Sequence, residues 1–267
     1  MASRTLLAGC GKLGARLGER LANEGETVFA LRRHTESLPS RVVAIGADLT
    51  KPLREPLPVV DAMVIMLPPS VDPDGYRPVL QHLRDGLQEA PSRTVFVSST
   101  GVFEGWDGPQ PITESHVPRP ATPRARVIRE GELVAEDLFG AIIVRPAGIY
   151  GPGREYLLRT VRDHRAIHRA TRTNRVHETD LVRVLHALLR HEDPPHVIHA
   201  LDAEPATLGD VTDFIADVLG VEPPTEGDGP GRTGNVFDGT AVRSLVGHLD
   251  FPTFREGYRD MIEHAAD

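Results

Sequence analysis

The chain has 267 residues, of which 40% are hydrophobic and 25% charged, with a formal net charge of -8 and one cysteine. That length fits one α/β domain with a smaller appended portion, and a single cysteine excludes a disulfide within the chain. The acidic balance argues against a general nucleic-acid or membrane-surface binder. Because no apolar run reaches membrane length, we expect a cytoplasmic protein with neither nucleic acid nor membrane as partner.

The first motif is a glycine-rich turn between a predicted strand and a predicted helix. Residues 5–8 are an apolar run, Gly9, Gly11 and Gly14 follow as G-x-G-x-x-G, and residues 15–23 carry apolar side chains at helical spacing. In a dinucleotide-binding fold the three glycines allow the tight turn, the approach of backbone to a pyrophosphate and the packing of helix on strand. The alternative is a plain glycine turn. A lipoprotein cleavage box ending at Cys10 is disfavoured, because the apolar stretch before it is too short.

The end of the next predicted strand indicates which dinucleotide is bound. Residues 27–31 form a short β-type run that ends in Arg32 and Arg33, where an NAD-binding chain would carry an acidic residue for the ribose hydroxyls. Guanidinium groups at this place suit a 2′-phosphate, which they grip with paired hydrogen bonds. The sequence therefore predicts NADP(H), with two solvated loop arginines as the alternative.

Further apolar runs alternate with a helical segment. Residues 41–45, 62–67 and 94–98 read as strands, and residues 76–89 form a plausible amphipathic helix. A continuously apolar strand such as 62–67 is typical of a parallel sheet covered on both faces. This alternation predicts an α/β fold, a Rossmann-type doubly wound parallel sheet.

Four later segments carry a resemblance to a known family. They are residues 98–103, residues 112–120, residues 143–154 and residues 174–181. In this order they resemble the extended short-chain dehydrogenase/reductases, which include nucleotide-sugar epimerases and dehydratases. The likeness extends from Thr5 to about Gly220 and is nearest to small bacterial atypical, epimerase/dehydratase-like members.

The resemblance implies a role for each matching position, most of them beyond the carboxyl end of a strand. Ser99 would hydrogen-bond the reacting oxygen of the substrate, with Thr100 as the neighbouring alternative. The implied cofactor-binding residues are Gly9, Cys10, Gly11, Lys12, Leu13, Gly14, Arg32, Arg33, Asp48, Leu49, Leu67, Pro68, Pro146 and Ala147. Among these, Asp48 and Leu49 would lie at the adenine end, and Pro146 and Ala147 near the nicotinamide.

The sequence departs from the family at the proton-transferring pair. With Glu132 aligned to the glutamate of the family motif, Arg124 takes the place of the tyrosine and Ile128 that of the lysine. An arginine stays protonated at neutral pH, so Arg124 is suited to binding an anion or stabilising an oxyanion rather than to proton transfer. Tyr150 is a candidate replacement proton donor, with another cleft residue or water as the alternative source of the proton and a structural role as the alternative for Tyr150 itself. Other candidates for substrate contact are Glu114, His116, Arg154 and His177, each with a structural role as the alternative.

Two other kinds of site fit the sequence poorly. His164 and His168 are four residues apart but lack an H-E-x-x-H pattern and a third ligand, so we predict no metal site. Ser99 lacks the G-x-S-x-G context of a hydrolase nucleophile.

We expect a dinucleotide-binding domain at 1–150, a returning strand and helix at about 176–202, and a small substrate-binding portion at 151–267. The first functional hypothesis is an NADP(H)-dependent oxidoreductase acting on a small-molecule carbonyl, alcohol or activated double bond. The alternatives are a non-catalytic NADP(H)-binding redox sensor or partner-binding module, and an epimerase, isomerase or dehydratase that uses the cofactor transiently or structurally. Family members are often dimers through a four-helix contact, so a homodimer is also expected.

Overall fold

The computed structural model describes residues 3–231 and 233–264. The chain forms two compact units. The first contains the described residues up to Trp106 together with Val117–Arg145 and Val184–Ile198. The second contains Asp107–His116, Pro146–Arg183 and the described residues from His199 onward. The division predicted from the sequence, at about residue 150 with a return at 176–202, stays a prediction.

Eleven strands and eight α-helices occur among the described residues, with one short 3-10 helix at Thr100–Phe103. The strands are β1 Arg4–Ala8, β2 Thr27–Arg32, β3 Val43–Gly46, β4 Ala62–Ile65, β5 Arg93–Val97, β6 Ile142–Pro146, β7 Gly148–Tyr150, β8 Arg172–Thr173, β9 Arg175–His177, β10 Val197–Ala200 and β11 Ala206–Thr207. The helices are α1 Lys12–Asn23, α2 Arg77–Gly86, α3 Pro123–Phe139, α4 Tyr156–Arg162, α5 Glu178–Arg190, α6 Leu208–Leu219, α7 Thr240–Val246 and α8 Phe254–Glu263.

The central sheet has seven strands in the order β10-β6-β5-β4-β1-β2-β3. The pairs from β6 across to β3 are parallel, with Leu7 of β1 opposite Ala30 of β2 and Val64 of β4. The chain leaves β1 toward β2 and β3 on one side and returns to β4 on the other. Ligands of such sheets bind at this reversal, outside the carboxyl ends of the strands. The predicted Rossmann-type α/β fold is confirmed.

Apolar strands and the helices that cover them form the core of the first unit. All four residues of β4 are buried, as expected for a strand covered on both faces. Helix α1 turns its buried face to the sheet through Leu13, Leu17 and Leu21 at helical spacing. This rigid frame fixes where the turns after β1, β2 and β4 project.

Several element boundaries differ from the sequence prediction. Strand β4 ends at Ile65 rather than at residue 67, because Leu67 O accepts a hydrogen bond from the Tyr76 hydroxyl, at 2.9 Å, and Pro68 follows. Helix α2 is shorter than the predicted 76–89, and β3 begins two residues later than predicted. Strand β7 was not predicted; it is three residues long and pairs with β9, too short to show a periodic pattern.

In the second unit, helices α4, α6 and α8 enclose a separate apolar cluster. Its buried members include Tyr150, Val161, Ile215 and Phe254. Helix α6 begins with a capping box in which Thr207 and Asp210 satisfy each other's backbone amides. Among the described residues, no helix combines the length and the apolar character that crossing a membrane requires.

Candidate functional site

The glycine turn after β1 has the local geometry that the motif predicts. Gly9 has a φ of 82°, and a Cβ on it would lie 2.8 Å from both Leu67 Cδ2 and Met66 O. Its amide donates to Leu31 O at 2.9 Å, and the Gly11 amide donates to Gly9 O at 2.8 Å. Gly9 is therefore required by backbone conformation and by contact with the end of β4.

Gly11 and Gly14 differ in what surrounds them. A Cβ on Gly14 would lie 3.0 Å from Cys10 Sγ and Met66 Cε, so this glycine allows α1 to pack closely. A Cβ on Gly11 would meet no described heavy atom within 4 Å, and its backbone is extended with φ -87° and ψ -156°. Nothing in the fold of the described residues explains Gly11. The open space in front of it fits the approach of backbone to a ligand.

Cys10 lies in the same turn but is 1% exposed. Burial raises the pKa of its thiol to about 11, and the nearby charge of Arg32 only partly opposes this. The thiol is protonated at neutral pH, so Cys10 is a packing residue rather than a nucleophile. Of the other predicted turn residues, Lys12 is exposed and Leu13 is buried in the face of α1.

A cavity of about 290 Å³ opens beside this turn within the first unit. Nine of the predicted cofactor residues line it, namely Gly9, Cys10, Gly11, Arg32, Arg33, Asp48, Leu49, Leu67 and Pro68. Sequence reasoning missed the other lining residues, which are Leu31, His34, Ala47, Thr50, Ser70 and Val71. Lys12, Leu13, Gly14, Pro146 and Ala147 are not among the lining residues. The cofactor roles of all these residues remain predictions.

One end of this cavity is basic. Arg32 is half-buried, with Nη1 3.4 Å from Ser37 Oγ, whereas Arg33 and His34 are exposed. Asp48 Oδ1 accepts hydrogen bonds from the Thr50 hydroxyl at 2.9 Å and the Thr50 amide at 3.2 Å. These bonds lower the pKa of Asp48, which stays ionised with one of its oxygens engaged by Thr50.

The wall of this cavity is supported by Tyr76, the N-cap residue of α2, and by His82 within α2. The Tyr76 hydroxyl donates to Leu67 O, and His82 Nδ1 lies 2.9 Å from Leu49 O. The Tyr76 ring packs so closely on α3 that a Cβ on Gly131 would lie 2.5 Å from it. No sequence motif marks Tyr76 or His82, since both act through contacts with distant backbone.

Ser99 and Thr100 follow β5. Ser99 Oγ accepts a hydrogen bond from the Gly101 amide at 3.0 Å and so caps the 3-10 helix that Thr100 begins. Ser98 donates from its hydroxyl to Glu132 Oε1 at 2.7 Å. Arg124 is exposed in the first turn of α3, and its Nη1 would lie 3.5 Å from a Cβ on Gly101. Ser99 and Arg124 are thus brought together around Gly101.

A buried ion-pair cluster lies behind this loop. Glu132 is fully buried and accepts hydrogen bonds from Arg145 Nε at 2.7 Å, Arg145 Nη2 at 2.9 Å and Arg129 Nη1 at 2.8 Å. Burial alone would raise the pKa of Glu132, but Arg145, with Ser98 and Arg129, outweighs it and lowers that pKa. The cluster ties β5, α3 and β6 together, a structural role that the sequence did not indicate.

In the second unit, Tyr150 and His177 are packed side chains. Tyr150 is 3% exposed, stacks on Tyr258 with ring centroids 4.7 Å apart, and points its hydroxyl at Thr253 O, 3.5 Å away. Burial raises the pKa of the Tyr150 phenol above its usual value. His177 is 2% exposed, with its ring centroid 3.8 Å from that of Phe251. This setting argues against Tyr150 as a proton donor at neutral pH.

The remaining predicted substrate residues also make contacts within the second unit. Glu114 Oε1 accepts from the His199 amide at 2.8 Å, and His116 Nδ1 accepts from the Thr113 amide at 3.1 Å. Arg154 Nε is 3.5 Å from Glu178 Oε2. Pro146 and Ala147 are buried at the end of β6. Substrate contact by these residues remains a prediction.

Within the described chain, no group of three or more His, Cys, Asp or Glu side chains is placed to hold a metal.

Solved structures resemble this fold over its whole length. A protein from Methylobacillus flagellatus, described as a candidate NAD-dependent epimerase/dehydratase, is 26% identical, with 100% of both chains covered and a TM-score of 0.87. MoeE5 in complex with UDP-glucuronic acid and NAD is 22% identical, with 99% of both chains covered and a TM-score of 0.79. UDP-glucose 4-epimerase from Thermotoga maritima is 16% identical, with 98% of both chains covered and a TM-score of 0.79.

No protein-family profile and no curated protein matches the sequence. At 22% and 16% identity, the second and third structures are similar in fold alone. The Methylobacillus flagellatus protein supports a likeness in family as well as in fold, because it aligns over the whole of both chains at 26% identity. These likenesses confirm the resemblance of the chain to the extended and atypical short-chain dehydrogenase/reductases, of the epimerase/dehydratase-like type.

Proposed function

We propose that the chain is an NADP(H)-binding protein that uses the cofactor in an epimerase- or dehydratase-type conversion of a small molecule. The main support for cofactor binding is the open space at Gly11, where an added Cβ would meet no described heavy atom within 4 Å. Gly9 and Gly11 would let the backbone approach the pyrophosphate, and the positive end of the α1 dipole would favour the anion there. A bound nicotinamide supplies a hydride donor or acceptor.

The preference for NADP(H) rests on the basic end of the cavity. Arg32 and Arg33 line it together with His34, and β2 ends without an acidic side chain. A 2′-phosphate would be attracted to the two guanidinium groups, whereas the ribose hydroxyls of NAD would find no carboxylate there. The neighbour MoeE5 was solved with NAD, so the preference of this chain for NADP(H) is supported by its own arginines and not by that neighbour.

Calorimetric titration of NADPH and NADH tests the cofactor. We expect NADPH to bind more tightly than NADH, and the double variant Arg32→Ala, Arg33→Ala to lose at least tenfold in NADPH affinity, about 1.4 kcal/mol. NADH affinity should change little. Arg41→Ala is the matched control, since Arg41 is exposed in the same unit and donates to Asn23 Oδ1 outside the cavity. Equal binding of the two cofactors, or binding of neither, would contradict the proposal.

The epimerase or dehydratase type is supported by the neighbours, several of which are epimerases by description. They favour it over net oxidoreduction, the function that the sequence placed first. The two differ in a simple assay: an oxidoreductase changes the nicotinamide absorbance in step with product, and an epimerase does not. Ser99→Ala should abolish turnover in either case while NADPH affinity stays the same. Full activity in Ser99→Ala would remove the role proposed for this hydroxyl.

A non-catalytic NADP(H) sensor is the second candidate. It is favoured by the replacement of the tyrosine by Arg124 and by the burial of Tyr150. Under this function NADPH would bind tightly and no member of a broad panel of carbonyl compounds and nucleotide sugars would be converted.

The expected homodimer also remains a proposal, supported by Leu133 on α3, which is 49% exposed. Light scattering would give twice the chain mass.

A further inference from the structure

We propose that Ser99 and Arg124 together bind a carboxylate of the substrate, so that the substrate is a small organic acid. This rests on the proposed function, since the acid is the molecule that the enzyme would convert. It adds a substrate class and a role for Arg124 that differs from the proton transfer carried out at this position in the family.

The two side chains converge on one point. A Cβ placed on Gly101 would have three nearest neighbours: Ser99 Oγ at 3.2 Å, Ile128 Cδ1 at 3.3 Å and Arg124 Nη1 at 3.5 Å. A hydroxyl, a guanidinium and a methyl group therefore crowd the position in front of Gly101, where even a Cβ would be tight, so a ligand would reach the hydroxyl and the guanidinium from the exposed side of Arg124. Ile128 is 2% exposed and is the apolar contact at this position.

The Ser99 hydroxyl and the Arg124 guanidinium can each donate a further hydrogen bond. Ser99 Oγ already accepts from the Gly101 amide at 3.0 Å, and its hydroxyl hydrogen can still be donated to another acceptor. Within the described part of the chain, no residue accepts a hydrogen bond from the Ser99 hydroxyl or from the Arg124 guanidinium. A ligand at this place would meet two donors.

No acidic side chain among the described residues forms an ion pair with Arg124. The first turn of α3 contains no acidic side chain, and Glu104 at this helix end accepts instead from the Thr122 hydroxyl at 3.1 Å. Arg126, in the same turn, donates to Ala121 O at 3.2 Å. Arg124 thus presents a permanent positive charge beside a hydroxyl donor.

This combination selects the chemistry of the ligand. A guanidinium presents N–H donors in a planar fork that matches the two oxygens of a carboxylate. It does not release its proton at neutral pH, so it binds and stabilises negative charge rather than transferring a proton. The Ser99 hydroxyl adds a neutral donor to the same oxygen or its neighbour.

Calorimetric titration with oxalate, on the full chain alone and saturated with NADPH, tests the proposal. We expect wild type to bind oxalate, Arg124→Gln to bind it at least tenfold more weakly and Ser99→Ala to bind it more weakly than wild type. Arg126→Gln is the matched control and should behave as wild type. Ethylene glycol, an uncharged probe, should not bind detectably.

Three results would overturn the proposal: no oxalate binding by wild type under either condition, equal binding by Arg124→Gln and Arg126→Gln, or loss of NADPH affinity in Arg124→Gln in step with oxalate. The last would assign the guanidinium to the cofactor. Tighter binding of inorganic phosphate than of oxalate would overturn the choice of a carboxylate. If wild type binds oxalate through Arg124 but not NADPH, the proposed function fails and this inference stands.

Discussion

Gly11 is the residue at which the demands of folding and of ligand binding separate most clearly. Gly9 and Gly14 are surrounded by protein, whereas a Cβ on Gly11 meets open space and its extended backbone accepts an alanine. Gly11→Ala should therefore leave the melting temperature within about 1 °C of wild type, since no folded contact changes. It should weaken NADPH binding at least tenfold by standing where the pyrophosphate approaches.

Gly9→Ala provides the contrast to Gly11→Ala. Its φ of 82° and the contact with Met66 O predict a clear loss of melting temperature as well as of binding. Thermal unfolding and calorimetry on both variants make the comparison. Unchanged NADPH affinity in Gly11→Ala would mean that this glycine does not face the cofactor.

At the scale of elements, α3 is held to β5 and β6 by the Glu132 cluster. Glu132→Gln would leave the buried Arg145, 2% exposed, without its counter-charge. Breaking a buried pair from one side costs about 3–5 kcal/mol, so we expect a loss of that order in urea unfolding.

The control for Glu132→Gln is Glu136→Gln, one turn further along α3 at a half-buried position. This variant should change the unfolding free energy by less than about 0.5 kcal/mol. If Glu132→Gln were as stable as Glu136→Gln, the cluster would not anchor the helix that presents Arg124.

An element could be predicted from the sequence where nearby residues determine it, and could not where contacts with distant residues do. Strands β1, β2, β4 and β5 and the turn between β1 and α1 follow from local apolar runs and glycines, and these were anticipated to within a few residues. Tyr76 and His82 support the cavity wall through bonds to the carbonyls of Leu67 and Leu49. Neither position carries a periodic or motif signal.

Tyr150 shows the same limit for the site. Its place after β6 suggested an accessible phenol, yet it packs on Tyr258 and against Gly257, where any Cβ would overlap its hydroxyl. Those partners lie more than 100 positions along the chain, so local sequence gave no sign of this burial.

The whole molecule should show a pH dependence of stability that originates at Asp202. This carboxyl is 1% exposed, and among the described residues its Oδ2 has no hydrogen-bond partner. Burial raises its pKa from the ordinary 3.8 to about 7; Arg175 and the hydrogen bond from the Glu204 amide oppose the shift, and the charges of Glu204 and Asp180 add to it. The folded state therefore keeps a proton that the unfolded state has lost. Stability falls as the pH rises from about 4 to 7, since the unfolded chain binds fewer protons there.

Urea unfolding at pH 5 and pH 8 tests this origin. Wild type should lose about 2–3 kcal/mol over that interval relative to Asp202→Asn, which cannot titrate. Asp217→Asn, an exposed change on α6, should keep the wild-type dependence. The same pH dependence in wild type and Asp202→Asn would place its origin elsewhere.

The central claim is that a nicotinamide dinucleotide binds at the glycine turn of the first unit. Hydrogen–deuterium exchange with and without saturating NADPH locates the binding directly, because ligand contact protects the amides that it covers. We predict slower exchange in residues 9–14 and 32–37, and no change in the exposed turn at residues 220–222. Exchange that slows only in other segments, or in none, would contradict the account.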